Sequence, residues 1–275
     1  MSELSLEDGS LWYDTRGDGP PLVFVHGGWM NGRAWRPQID HFAADYRTTT
    51  FDVRGHGRTG ATDPDQYSID LFTDDLEALL DHLDLDRPIL CGLSLGSMVV
   101  QRYLDRHPDR AAGAILGGAV RSMPPIELPP GTKPFLSPLP GITASASMLG
   151  SETTFRSMLC SIRATTGQRW LSVDPEVRAD AIDAVGEVSS AEFGKVFGAL
   201  YRFEPPALDH VETPTLVVHG EQEAPPVKRQ GREIASEVDD GDWLELSESG
   251  HLVNQDRPRA FNDASTTFLG RLPLT

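Results

Sequence analysis

Apolar residues follow two patterns along the chain, and the two alternate. Short runs rich in apolar and β-branched residues occur at 21–25, 48–53, 88–93, 111–119, 214–220 and 243–246, bounded by Gly, Pro or charged residues. Such runs predict strands buried on both faces. Between them, residues 35–44, 69–83, 95–107 and 225–236 carry helical spacing, clearest in Ile69, Phe72, Leu76, Leu79, Leu80 and Leu83. A last helix is predicted from Pro258, a favourable first-turn position. Residues 3–14 alternate loosely around Asp8-Gly9, which predicts an opening hairpin. Counted together these make eight strands alternating with helices, an α/β class with a mostly parallel sheet and helices on both faces.

The rhythm breaks between residues 120 and 210. The proline-rich stretch from Pro124 to Pro140 excludes regular helix or central strand, and two helix-like stretches follow, near 143–165 and 175–202. The expected organisation is a core domain whose first part is 1–119, a helical cap inserted at 120–210, and the second part of the core at 211–275. A chain of 275 residues accommodates one such domain with its insertion, and it contains no internal repeat.

Candidate chemistry sits where the strands end. Residues 88–100 read as strand, sharp turn and helix, with Ser94 at the turn between Gly92 and Gly96. A side chain at either glycine would collide with the neighbouring strand or helix. A Gly-x-Ser-x-Gly pentapeptide also arises by chance, and a plain small-residue crossing between a buried strand and its helix fits it as well. Its surroundings decide. Ligands of parallel sheets bind beyond the C-terminal strand ends, and Ser94, Glu223 and His251 each follow a predicted strand, in the order serine, acid, histidine.

Charge narrows the partners. The chain has 41 Asp and Glu against 24 Lys and Arg, a formal net charge of -17, and only three lysines, Lys133, Lys195 and Lys228. Nucleic acid would be repelled. The acids read as a solvated surface, and adaptation to high salt is one explanation, which requires that added salt raise the melting temperature. The N-terminus lacks a basic start followed by an apolar core, and no run reaches membrane-spanning length, so a cytoplasmic protein without membrane insertion is expected. Cys91 and Cys160 are too few and too separate to imply a disulfide framework or a metal site.

Five motifs in order resemble the α/β-hydrolase fold superfamily, in its serine esterase, lactonase and cofactor-free haloperoxidase branch. They are His26-Gly27-Gly28, Asp52-x-Arg54-Gly55-x-Gly57, Gly92-x-Ser94-x-Gly96, His219-Gly220-x-x-Glu223, and Gly250-His251 with Pro258 beyond. The resemblance covers nearly the whole chain. It implies Ser94 as nucleophile, His251 as the base that takes its proton and Glu223 as the acid that orients His251. It also implies backbone N–H groups of Gly28 and Leu95 as the oxyanion hole, and no cofactor or metal. The family usually has aspartate at the acid position, and the following Ala224-Pro225-Pro226 is compact, so Glu221 stays open as the alternative acid. His26, His56 and His219 are expected to brace loops, and Asp52 and Arg54 to lock one.

The implied activity is hydrolysis of a small carboxylic ester or lactone through an acyl-serine intermediate. Trp29, Met123, Phe135, Leu136 and Met148 are the expected substrate contacts, chosen chiefly from the apolar, proline-rich stretch between Ser122 and Leu149. Carbon-carbon bond hydrolysis and cofactor-free perhydrolysis use the same triad and stay open. So does a non-catalytic ligand-binding receptor on the same fold. The sequence leaves both a monomer and a homodimer open.

Overall fold

A computed structural model describes residues 2–124, 136–167 and 169–273. The sheet is built from β1 (Ser2–Leu6), β2 (Gly9–Arg16), β3 (Pro21–Val25), β4 (Arg47–Phe51), β5 (Ile89–Leu93), β6 (Gly113–Gly117), β7 (Thr215–Gly220) and β8 (Gly241–Leu246). Its order is β1-β2-β4-β3-β5-β6-β7-β8. Only the hairpin breaks the parallel arrangement: β2 runs antiparallel to both β1 and β4. In the centre β5 pairs Ile89 with Leu22 on one side and with Gly113 on the other. All five of its residues are buried, which explains why this strand reads as a continuous apolar run.

Helices connect the strands. They are α1 (Arg36–Phe42), α2 (Ile69–His82), α3 (Leu95–Arg106), α4 (Leu139–Leu149), α5 (Ser151–Thr166), α6 (Pro175–Gly186), α7 (Ser190–Arg202), α8 (Pro225–Glu237), α9 (Val253–Asp256) and α10 (Pro258–Leu269). Local chemistry sets several starts. Ser68 caps α2 by accepting from Leu71 N–H at 3.0 Å, Asp174 caps α6 through Glu176 N–H at 2.8 Å, and Ser189 caps α7. The buried apolar face of α2 is the one its spacing predicts, from Ile69 to Leu80.

Among the described residues, four helices, α4 to α7, stand between β6 and β7 where the apolar spacing predicts two. The first expected helix is cut at Gly150, whose φ of +85° a helix cannot contain. The second stops at Gly186, and the chain restarts at the Ser189 cap. Helix α7 is the best-buried of the four: Phe193, Val196, Phe197 and Leu200 are all within the core.

The loop after β4 is locked as its motif predicts. Arg54, 2% exposed, forms a two-pronged ion pair with Asp75 at 2.5 and 2.6 Å and reaches Asp8 at 2.8 Å. Asp52 accepts from Gly32 N–H at 2.7 Å and Arg58 N–H at 2.8 Å. No helix among the described residues is long and apolar enough to cross a membrane.

Candidate active site

Ser94 lies between the end of β5 and the start of α3, with φ 52° and ψ -110°, a conformation that costs energy for any residue with a side chain. The two glycines permit it. A Cβ on Gly92 would lie 2.4 Å from Gly96 O, and one on Gly96 would lie 2.1 Å from Val25 O. The result holds Ser94 Oγ above the sheet, with the first turn of α3 beneath it.

His251 follows β8 and Glu223 follows β7, and the structure brings both to Ser94. His251 Nε2 lies 2.9 Å from Ser94 Oγ, and His251 Nδ1 lies 2.5 Å from Glu223 Oε2. This pattern sets the neutral tautomer: Nδ1–H donates to the carboxylate, leaving Nε2 to accept the serine hydroxyl. Glu223 is 3% exposed. Burial opposes its charge, but the facing His251 ring and its hydrogen bond, His219 and Ala224 N–H together hold its carboxyl below the usual carboxylate range. Glu221 is not at the site. It is exposed, and its Oε2 accepts from Glu248 N–H at 2.8 Å.

The loop after β3 carries Gly28 beside Leu95: a Cβ on Gly28 would lie 3.8 Å from Leu95 Cβ. Neither of the two N–H groups has a hydrogen-bond partner among the described residues. Two buried histidines brace this loop. His56 Nε2 accepts from Trp29 N–H at 2.8 Å, and His26 Nε2 accepts from Val53 N–H at 3.0 Å, while the Nδ1–H groups donate to backbone carbonyls. Both acceptor roles need neutral rings, and burial pushes the two imidazoles down to about 4 for His26 and about 3 for His56. Trp29, at φ 58°, ties the loop to α7 by stacking on Phe193 at 4.7 Å between centroids. His219 is structural as well, with Nε2–H donating to Ala119 O at 3.0 Å.

Ser94 and His251 open into a cavity of about 510 Å³. Its walls come from residues around the sheet and from the segment between β6 and β7, with Phe155 and Ile162 of α5, Val185 of α6 and Leu200 of α7 among them. Of the expected contacts, Trp29 and Met123 line it. Leu136 and Met148 do not: they are 60% and 82% exposed. Phe135 lies outside the described residues. Apolar composition marks residues 122–149, whereas the helical spacing of Phe155, Ile162 and Thr166 marks the face of α5 that turns inward. His251 is the only titratable side chain among the described lining residues.

The α4–α7 segment also reaches His251 and Glu223, through a residue the sequence did not single out. Trp170, in the link between α5 and α6, donates from Nε1 to Glu223 Oε1 at 2.6 Å and stacks on His251 with centroids 5.1 Å apart and planes 24° apart. The backbone of the link is joined to the histidine loop, with His251 N–H donating to Trp170 O at 2.7 Å and Leu252 N–H to Leu171 O at 3.0 Å. Asp256 closes the joint by accepting from Gly250 N–H, Val173 N–H and the Ser172 hydroxyl.

A nucleophile-elbow fold with serine, histidine and acid at three strand ends is the arrangement of one enzyme class, and comparison with known proteins places the chain in it. Residues 22–264 match the alpha/beta hydrolase family, and the chain belongs to that family. It is 26% identical to a 3-oxoadipate enol-lactonase of Acinetobacter baylyi, over 98% of this chain and 96% of that one. It is 29% identical to a non-heme chloroperoxidase of Kitasatospora aureofaciens, over 95% and 96%. Among solved structures, a thermophilic esterase from Thermogutta terrifontis superposes with a TM-score of 0.83 over 98% of this chain and 99% of that one, at 20% identity. That last similarity is one of fold.

Proposed function

We propose that the protein is a serine hydrolase that cleaves a small, uncharged carboxylic ester or lactone through an acyl-serine intermediate. The observation that carries this is the continuous hydrogen-bonded line from Ser94 through His251 to Glu223, opening into an apolar cavity. In acylation, His251 Nε2 takes the hydroxyl proton as Ser94 Oγ bonds to the substrate carbonyl carbon. Glu223 stabilises the imidazolium, and the N–H groups of Gly28 and Leu95 receive the oxyanion. Collapse expels the alcohol with the proton from His251. Water then enters by the same route, leaving the acid and free Ser94. In a lactone the alcohol and acid remain one molecule.

The wall favours uncharged groups on both sides of the ester. A substrate carboxylate would lose its hydration there and meet no cationic side chain among the described lining residues. Relatives support the reaction class: one is an enol-lactonase, and a carboxylesterase of Bacillus subtilis is 26% identical over 92% of this chain. Perhydrolysis is the second reading, favoured by the chloroperoxidase relative. In it hydrogen peroxide replaces water in the second step and releases a peracid.

The test is a panel of p-nitrophenyl esters of rising chain length and simple lactones, with wild type and Ser94→Ala, joined to intact-mass labelling by a serine-directed phosphonate. Labelling of one serine, and turnover abolished by Ser94→Ala, are expected. Absence of both overturns the proposal in favour of a binding protein. A peracid yield exceeding hydrolysis when peroxide is supplied selects the second reading.

A further inference from the structure

We infer that Trp170 is a positioning residue for the triad, holding Glu223 in the geometry that serves His251; this rests on the hydrolase reading above. A glutamate at this place carries one more methylene, and one more free torsion, than the aspartate usual in the family. Its carboxylate can rotate, and only one rotation presents Oε2 to His251 Nδ1. Two donors on the other oxygen remove that freedom. Ala224 N–H approaches Oε1 at 2.8 Å from the adjoining residue, and the indole N–H of Trp170 approaches it at 2.6 Å from the cap. With Oε1 occupied on both sides, Oε2 is left to the imidazole.

The indole acts on His251 as well. Its face lies along the imidazole, so the ring that must carry a positive charge in the transition state is covered by π density. The backbone joint between Trp170 O and His251 N–H sets both rings in one frame. Cap and triad are therefore not separable: a displacement of the link by the length of a hydrogen bond uncouples the acid from the base.

Trp170→Phe keeps an aromatic face and removes the donor. A hydrogen bond to a charged group corresponds to a change of about tenfold to a hundredfold, so kcat is expected to fall by that factor, with KM changed by no more than about threefold. The deciding measurement is a double-mutant cycle with Glu223→Ala, read as the rate of phosphonate labelling at Ser94 where turnover is too slow. Once Glu223 is gone, Trp170→Phe is expected to change the rate by less than about twofold. Equal losses in both backgrounds would mean that Trp170 only walls the cavity, and an unaffected Trp170→Phe with intact Ser94 dependence overturns the role alone. Turnover that survives Ser94→Ala overturns the triad and this role together. If the phenylalanine variant does not fold, Trp170→His, which retains a ring N–H, is compared with Trp170→Leu; equal activity of the two overturns the inference.

Discussion

Glu223→Gln is the sharpest perturbation the site offers, because its surroundings dictate how the amide must sit. Oε1 of Glu223 accepts from Trp170 Nε1 at 2.6 Å and from Ala224 N–H at 2.8 Å, so only the amide oxygen fits there. The NH2 group is then forced into the Oε2 position, facing His251 Nδ1. Two donors cannot share that contact, so His251 must give up its Nδ1 proton and carry it on Nε2, the atom that has to accept from Ser94. The base is lost through its tautomer although the geometry is nearly unchanged. A loss of this kind amounts to about 10⁴-fold in kcat, or about 5 kcal/mol of transition-state stabilisation. Glu223→Ala is expected to be no worse, since water can enter and accept from Nδ1. Initial rates on a p-nitrophenyl ester measure both variants, with Glu221→Gln as the comparison, expected within about twofold of wild type because the exposed Glu221 side chain accepts from Glu248 N–H, away from His251. Retention of a tenth or more of wild-type kcat by Glu223→Gln would refute the reasoning, as would an equal loss in Glu221→Gln.

Two further predictions concern stability. Arg54→Met strands Asp75, whose side chain is 3% exposed, and is expected to cost about 3–5 kcal/mol in urea unfolding. Adding Asp75→Leu should restore much of this, and a double variant as unstable as the single one would show that packing, not charge, sets the cost. Acid should weaken the fold through His26 and His56. Their folded values, about 4 and about 3, lie below the unfolded 6.5, so the unfolded chain binds more protons between those limits and stability falls as pH drops. From about pH 7 to about pH 5 each ring should contribute about 2 kcal/mol of loss, and His56→Gln should flatten the slope. A fold equally stable at both pH values, with no change in slope on His56→Gln, would refute it.

Most of the sheet was legible because buried parallel strands are written as apolar runs with sharp ends, as in β5 and β7. The elbow was legible for a different reason: two close backbone approaches exclude any side chain at Gly92 and Gly96 and so leave a mark in residue type. His251 and Glu223 were legible as candidates because each follows a strand end, in the order acid then histidine. The stretch between β6 and β7 is less legible. Proline and leucine content marks out residues 122–149, but composition does not say which side of a segment faces inward, and Leu136 and Met148 face outward. Nor did the spacing within 143–165 and 175–202 reveal the breaks, since a turn between two amphipathic helices preserves the apolar repeat across it.

Trp170 shows what kind of residue such reading passes over. It belongs to no motif, and its neighbours Arg169 and Leu171 give no periodic context. Its importance comes from three contacts with residues 53 to 81 positions away, made possible only when the α5–α6 link crosses the histidine loop. The presence of glutamate rather than aspartate was the legible trace. A longer acid has to be restrained by something, and the chain near residue 223 supplies a single donor, Ala224 N–H. The second had to come from elsewhere in the fold, and the α5–α6 link meets the histidine loop there. The departure from the family's usual acid and the indole that meets it are two sides of one arrangement, which is why, once Glu223 is replaced, replacing Trp170 should cost little more.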